Sequence, residues 1–197
     1  MNFILSLITF LPLLGALIIG LFVQGSDAQS SENAKRVSLV TSIIVFLLSL
    51  VMFSEFDKNS SGFQFIEEFL WLGFFNYKLG VDGISVILIL LTTGMMPIVF
   101  LSSWTTNKRV KEYLISFLIL ETLMIGVFVS LDILLFYVFF EAGLIPMFLI
   151  IGIWGGKERV FAAFKFFLYT LLGSILMLIA MIVMWDISGT TDITKLL

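Results

Sequence analysis

Residues 113–153 read YLISFLILETLMIGVFVSLDILLFYVFFEAGLIPMFLIIGI. A helix needs about 20 apolar residues to cross a hydrocarbon layer about 30 Å thick, and this run is about twice that length. One helix would overshoot the bilayer, so the run predicts two antiparallel helices. The turn falls at Ser130-Leu131-Asp132, with Asp132 placed to cap the second arm.

Working outward from that hairpin, the same criterion yields six spans, at 3–23, 37–53, 84–101, 113–131, 133–153 and 161–185. The expected fold is all-α, a polytopic transmembrane helix bundle. The first span has no basic leading segment, is too long for a signal peptide and is followed by no clear small-residue cleavage site, so it reads as a retained helix. Composition agrees. With 60% hydrophobic and 13% charged residues, and a mean hydropathy of +1.14, the chain has more apolar surface than a soluble domain could bury. Lipid must cover the rest.

The net charge of -3, spread over loops, supplies no basic face for nucleic acid. The absence of Cys and His removes disulfides, thiolate metal sites and the usual imidazole proton shuttle. Proton chemistry therefore falls to Asp, Glu, Lys, Tyr or water, and no metal or cofactor site is expected within the chain. Gly155-Gly156 lacks the strand-to-helix context of a phosphate-binding loop and reads as a turn.

Lys35, Arg36, Lys108, Arg109, Lys111, Lys157 and Arg159 fall in the loops after spans one, three and five, whereas the other side receives only Lys58, Lys78 and Lys195. The excess of basic residues on the inner side predicts that the N-terminus lies outside, in the periplasm or intermembrane space. The longest connection, 54–83, also lies on that outer side. Its stretch 63–77 places Phe65, Phe69, Trp71, Phe74, Phe75 and Tyr77 among Gln64, Glu67 and Glu68, which suits an anchor or lid in the headgroup layer. Asp82 reads as the N-cap that opens span three. Pro12 and Pro97 read as packing kinks.

A charge at mid-bilayer costs at least about 2.5 to 3.5 kcal/mol, so ionisable residues inside the spans point to chemistry or to a partner. Glu121, Glu141 and Lys165 are the three. Glu121 and Glu141 are equally far from Leu131, which places both roughly 15 Å from the outer face, near the midplane. If they face each other across the hairpin, their repulsion would let one hold a proton. The bland alternative is a Glu121 that bonds a neighbour such as Thr122. Pro146 should kink the helix one turn past Glu141 and free the Ala142 carbonyl, and Gly143 leaves room for water or another helix. Lys165 is shallow enough to reach the inner interface, and its depth differs from that of Glu141 by roughly 10 Å.

Phe139-Phe140-Glu141, Leu144-Ile145-Pro146-Met147, Trp154-Gly155, the run from Phe166 to Ser174, and Gly80-Val81-Asp82-Gly83-Ile84-Ser85 together resemble subunit M, or chain 4, of the proton-translocating NADH-quinone oxidoreductase, respiratory complex I. The resemblance covers essentially the whole chain. It implies an antiporter-like subunit of about fourteen helices, in which the glutamate matching Glu141 works with a lysine on the next helix beyond Leu197. The chain is accordingly expected to be an N-terminal part of one antiporter-like domain, a fragment that would not pump alone. NADH, FMN, iron–sulfur clusters and quinone would belong to other subunits. The implied partners are those membrane subunits, above all the neighbouring antiporter-like ones, and the lipid of a bacterial inner or mitochondrial inner membrane. A multisubunit cation/proton antiporter and a non-transporting membrane scaffold are the alternatives.

Overall fold

The computed structural model describes residues 3–23, 28–60, 62–71 and 75–196. In chain order these form α1 (Ile4–Phe22), α2 (Ala28–Glu55), β1 (Gln64–Trp71), β2 (Phe75–Val81), α3 (Gly83–Ser102), α4 (Val110–Val129), α5 (Ile133–Trp154), α6 (Arg159–Ser188) and the short α7 (Ile193–Leu196). Helices α1 to α6 are long and apolar enough to cross a membrane. The long apolar run does break, between Val129 and Ile133. Lys35 and Arg36, read above as loop residues, instead lie in the early turns of α2. Those turns are polar, so apolar run length alone missed them.

Helices α1 to α4 make the compact part of the bundle. Ile4, Leu5, Ile8, Val45, Ile125 and Val129 belong to one buried apolar cluster, next to the β-hairpin. Ala16, Ile19, Met96, Phe100, Leu114 and Leu118 belong to a second, toward the opposite end. Helix α5 packs on α4, and α6 packs on α5. The α4–α5 contact is tight at Gly126, where an added Cβ would run into the Phe139 ring. Only a residue without a side chain admits that ring.

The stretch 63–77 departs from an interfacial segment of unspecified shape, because β1 and β2 pair antiparallel, with Glu68 opposite Lys78 and Phe69 opposite Tyr77. Phe74 lies outside the described residues. The hairpin turns Glu67 inward and leaves Ile66 and Phe69 exposed. Its buried carboxylate closes the start of α1, a helix that has no side-chain cap of its own. Glu67 Oε1 accepts the Leu5 N–H at 2.8 Å, and Oε2 accepts the Ser6 N–H at 3.1 Å and also the Ser6 hydroxyl. The first-turn N–H groups of a helix have no intrahelical acceptor, and an anion there also meets the positive end of the helix dipole.

The other helix N-termini at this end are closed in the same manner. Asp82 accepts the Ser85 N–H at 2.7 Å to cap α3. Asp132 accepts the Leu134 and Leu135 N–H groups at 2.9 and 3.1 Å to cap α5, and also receives the Thr191 hydroxyl. Asp192 accepts the Thr194 N–H at 2.9 Å at the start of α7. Lys78 Nζ, itself buried, donates to Asp192 Oδ2 at 2.7 Å and to Thr194 Oγ1 at 3.0 Å. The Leu131 N–H donates to the Lys78 carbonyl at 2.9 Å, so the hairpin joins α1, the α4–α5 turn and the segment after α6.

At Asp82 the Ser85 hydrogen bonds outweigh burial and hold the carboxyl below its ordinary value. At Asp192 burial opposes ionisation, but hydrogen bonds from Lys78 and Thr194 prevail and again hold the carboxyl low. A carboxyl depressed in the folded state contributes stability that is complete above its unfolded pKa and is lost as pH falls through its folded one. Amide protection at Ser85 and Thr194 should therefore decline as pH drops below the ordinary Asp value of 3.8. Hydrogen-exchange protection factors measured across that range check this, and Asp82→Asn should flatten the response at Ser85. Lys78→Met should cost about 1.5–3 kcal/mol, the loss of a charged hydrogen bond, because Asp192 keeps Lys195 at 3.9 Å and the Thr194 donors. Thermal unfolding in detergent reads that loss.

Candidate functional site

Glu121 lies eight residues before the end of α4 and Glu141 eight residues after the start of α5, roughly 12 Å along each helix from the hairpin turn. The matched depth does not bring the two acids to one interface. On α4, Glu121 shares its face with Leu114, Leu118, Thr122 and Ile125, all buried. It stands between Leu118 of one apolar cluster and Ile125 of the other, turned to the interior shared with α1, α2 and α3. Neither carboxylate oxygen has a hydrogen-bond partner among the described residues, and neither has the Thr122 hydroxyl. The alternative in which Glu121 bonds Thr122 is therefore not what the structure contains.

Glu141 follows a different stripe. Leu134, Glu141, Phe148 and Gly152 recur at helical spacing. Phe148 meets Phe164 and Phe167 of α6 with ring centroids 5.3 and 5.5 Å apart. An added Cβ at Gly152 would touch Ala163 at 3.6 Å. Leu134 lines a cavity with Leu178 and Met181. Antiparallel pairing through these contacts places Gly173 and Ser174 at the level of Glu141. Ser174 is one of two buried residues on α6, and its hydroxyl is committed to the Leu171 carbonyl at 2.9 Å. Glu141 is half-buried, and its Oε2 has no hydrogen-bond partner among the described residues.

Pro146 is buried within a helix that continues through it to Trp154. It has no N–H to offer the Ala142 carbonyl. Gly143 does not receive a neighbouring helix, since an added Cβ would meet nothing within 4 Å. It opens instead on a groove of about 250 Å³ between α4 and α5, lined by Leu120, Met124, Val127, Phe140 and Met147 among others. That lining is apolar and offers water no polar partners, so the space beside Gly143 does not provide the hydrated pocket expected from the sequence. Lys165 is exposed on α6, nine residues and roughly 13 Å from Ser174. The structure keeps it apart from both acids.

Asp82 sits at the hairpin end as the cap of α3, away from these groups. The reading of the sequence missed Glu67 as a buried cap and the pairing of Lys78 with Asp192. An acid on the inward face of a strand could have flagged Glu67. Nothing local flags Asp192, which lies 114 residues from Lys78.

A family described as "NADH:quinone oxidoreductase/Mrp antiporter, TM" matches residues 130–197. Over 197 residues the chain is 56% identical to NADH-quinone oxidoreductase subunit M of Rhodobacter capsulatus, covering all of this chain and 38% of that protein. It is 47% identical to NADH-ubiquinone oxidoreductase chain 4 of Arabidopsis thaliana, covering 99% of this chain and 39% of the relative. The chain is homologous to subunit M and chain 4. It spans about two fifths of the length of these curated relatives. A structure of respiratory complex I from Thermus thermophilus with bound NADH superposes with a TM-score of 0.81 at 27% identity, covering 98% of this chain and 38% of that one. The archaeal membrane-bound sulfane sulfur reductase superposes at 0.79 with 20% identity, covering 98% of this chain and 29% of that one, and shares the fold. With bacterial and mitochondrial relatives and six apolar helices, the chain is an integral protein of the inner membrane.

Gly126 and Gly143, on facing helices, should respond oppositely to alanine. Gly126→Ala should destabilise by about 1–3 kcal/mol through overpacking against Phe139. Gly143→Ala should be neutral or stabilise by up to about 1 kcal/mol, the difference in helix propensity. Unfolding midpoints of the two variants in the same detergent check the contrast.

Proposed function

We propose that the chain is part of an antiporter-like, proton-translocating membrane subunit of NADH-quinone oxidoreductase, in which Glu141 takes up and releases the moving proton. One observation carries the reading. In a chain 56% identical to subunit M, Glu141 lies mid-helix on the α6 side of α5, with Oε2 buried and without a hydrogen-bond partner among the described residues. An acid so placed can be met by a proton, by water or by a cation brought close. Its proton would leave as such a cation approaches and return as it withdraws. Pro146 supports the site by leaving the Ala142 carbonyl without its helical donor, so that an acceptor lies one residue from the acid. Lys165, exposed and a long way along α6, is assigned no more than a place on the inner approach.

The electron chemistry belongs elsewhere in this reading. NADH, FMN, iron–sulfur clusters and quinone would reside in other subunits, and the partners of residues 1–197 would be the adjoining membrane subunits. The N-terminus would face the periplasm or intermembrane space, with the hairpin on that side. Support comes from the charges, because Lys108, Arg109, Lys157 and Arg159 all lie at the end opposite the hairpin.

Glu141→Gln in the full-length subunit should sharply reduce protons moved per electron while the complex still assembles. The measurement is proton-to-electron stoichiometry in inverted membrane vesicles. Wild-type stoichiometry would remove Glu141 from the pathway, and loss of assembly would favour the scaffold reading. The matched family also bears the Mrp antiporter name, which supports a second reading as part of a cation/proton antiporter. Sodium-dependent transport without quinone would select it.

A further inference from the structure

Glu121 and Glu141 share a depth, yet the surroundings of Glu121 are closed on themselves. Glu121 is fully buried, and both its oxygens and the hydroxyl of Thr122 lack hydrogen-bond partners among the described residues. Other buried hydroxyls in this part of the bundle are already committed. Thr9, Ser42, Thr92 and Ser116 each donate to a carbonyl of their own helix at 2.6 to 3.0 Å.

Among the described residues no cation pairs with the carboxylate. Helices α1 and α3 contain no Asp, Glu, Lys or Arg. On α2 the charges sit at its two ends, where Lys35 donates to the Trp104 carbonyl, Arg36 pairs with Glu32, and Glu55 is the last residue. On α4, Lys111 and Glu112 are more than two turns away, and on α5 Glu141 occupies the α6 side. A bound metal cation would require about six oxygen ligands. Three unpartnered oxygens, on Glu121 and Thr122, fall short of that. They suffice for a proton and one bridging water.

We propose that Glu121 and Thr122 form a second proton-binding site, enclosed by α1, α2, α3 and α4, which takes up and gives back one proton independently of Glu141. The step is the addition of one proton to the carboxylate and its return to water, with no change in electron count. Thr122 would hold the water that bridges the acid to the bundle. The site extends the proton-translocating reading but does not depend on the role given to Glu141. It replaces a shared proton across the hairpin with two separate sites at one depth.

Infrared difference spectra of the assembled complex, recorded on exchange from H2O to D2O, test it. The wild type should show the carbonyl stretch of a protonated, hydrogen-bonded acid. Glu121→Gln should lose that band and Glu141→Gln should keep it. Thr122→Val should shift the band upward and Thr122→Ser should restore it, and this pair remains informative if Glu121→Gln fails to assemble. Three results would overturn the proposal: no difference between the wild type and Glu121→Gln, loss of the same band in Glu141→Gln, or a shift produced by sodium at constant pH. A Glu141→Gln complex that pumps normally but retains the Glu121 band would count against the Glu141 reading alone.

Discussion

Hydrocarbon offers no hydrogen bonds, so every N–H and C=O of a spanning segment must be satisfied within the protein. Helices meet that demand along their length and fail it at their ends, where first-turn N–H groups have no acceptor. At the hairpin end of this bundle the deficit is met by carboxylates. Glu67 serves α1, Asp82 serves α3, Asp132 serves α5 and Asp192 serves α7. Two of the four are local caps of the ordinary sort. Glu67 reaches α1 from a strand, and Asp192 is locked by Lys78 of the other strand. The β-hairpin exists in this arrangement as a carrier of capping and pairing groups, and it sets where α1 begins and where the chain after α6 is anchored.

Above that anchored end the bundle divides the two mid-span acids. A helix presents a new direction with every residue, so equal depth carries no information about facing. The apolar clusters claim one side of α4, and Glu121 lies among them. The side of α5 that meets α6 claims Phe148 and Gly152, and Glu141 lies in phase with them. The consequence is chemical. Two carboxyls at one interface would share a proton and titrate as a pair, whereas two carboxyls on separate interfaces are separate sites with separate neighbours.

Much of the fold was legible beforehand, and the reasons are physical. The break at Ser130-Leu131-Asp132 was legible because bilayer thickness bounds helix length. The start of α2 was not, because its first turns are polar and a hydropathy window ends where the lipid would. The hairpin was illegible for a related reason. Strands on a protein core alternate apolar-in and polar-out, but here the inward position holds an acid, Glu67, and its apolar neighbour Ile66 is exposed. An inverted alternation over a helix end reads as an irregular amphipathic segment. Gly143 illustrates a different limit, since room beside a small residue says nothing of whether the walls of that room are polar.

The sequence by itself determined the six apolar helices, the turn between α4 and α5, the positions of Glu121 and Glu141 along their helices, and the similarity of the chain to complex I subunit M. Each of these follows from local composition, from rise per residue or from matched residues. Tertiary structure alone decided which helix each acid faces, that Glu121 is fully buried, and that Lys78 meets Asp192 across 114 residues. Those outcomes depend on how helices rotate against one another as they exclude lipid from their contacts, and that rotation is set jointly by all the surfaces in contact.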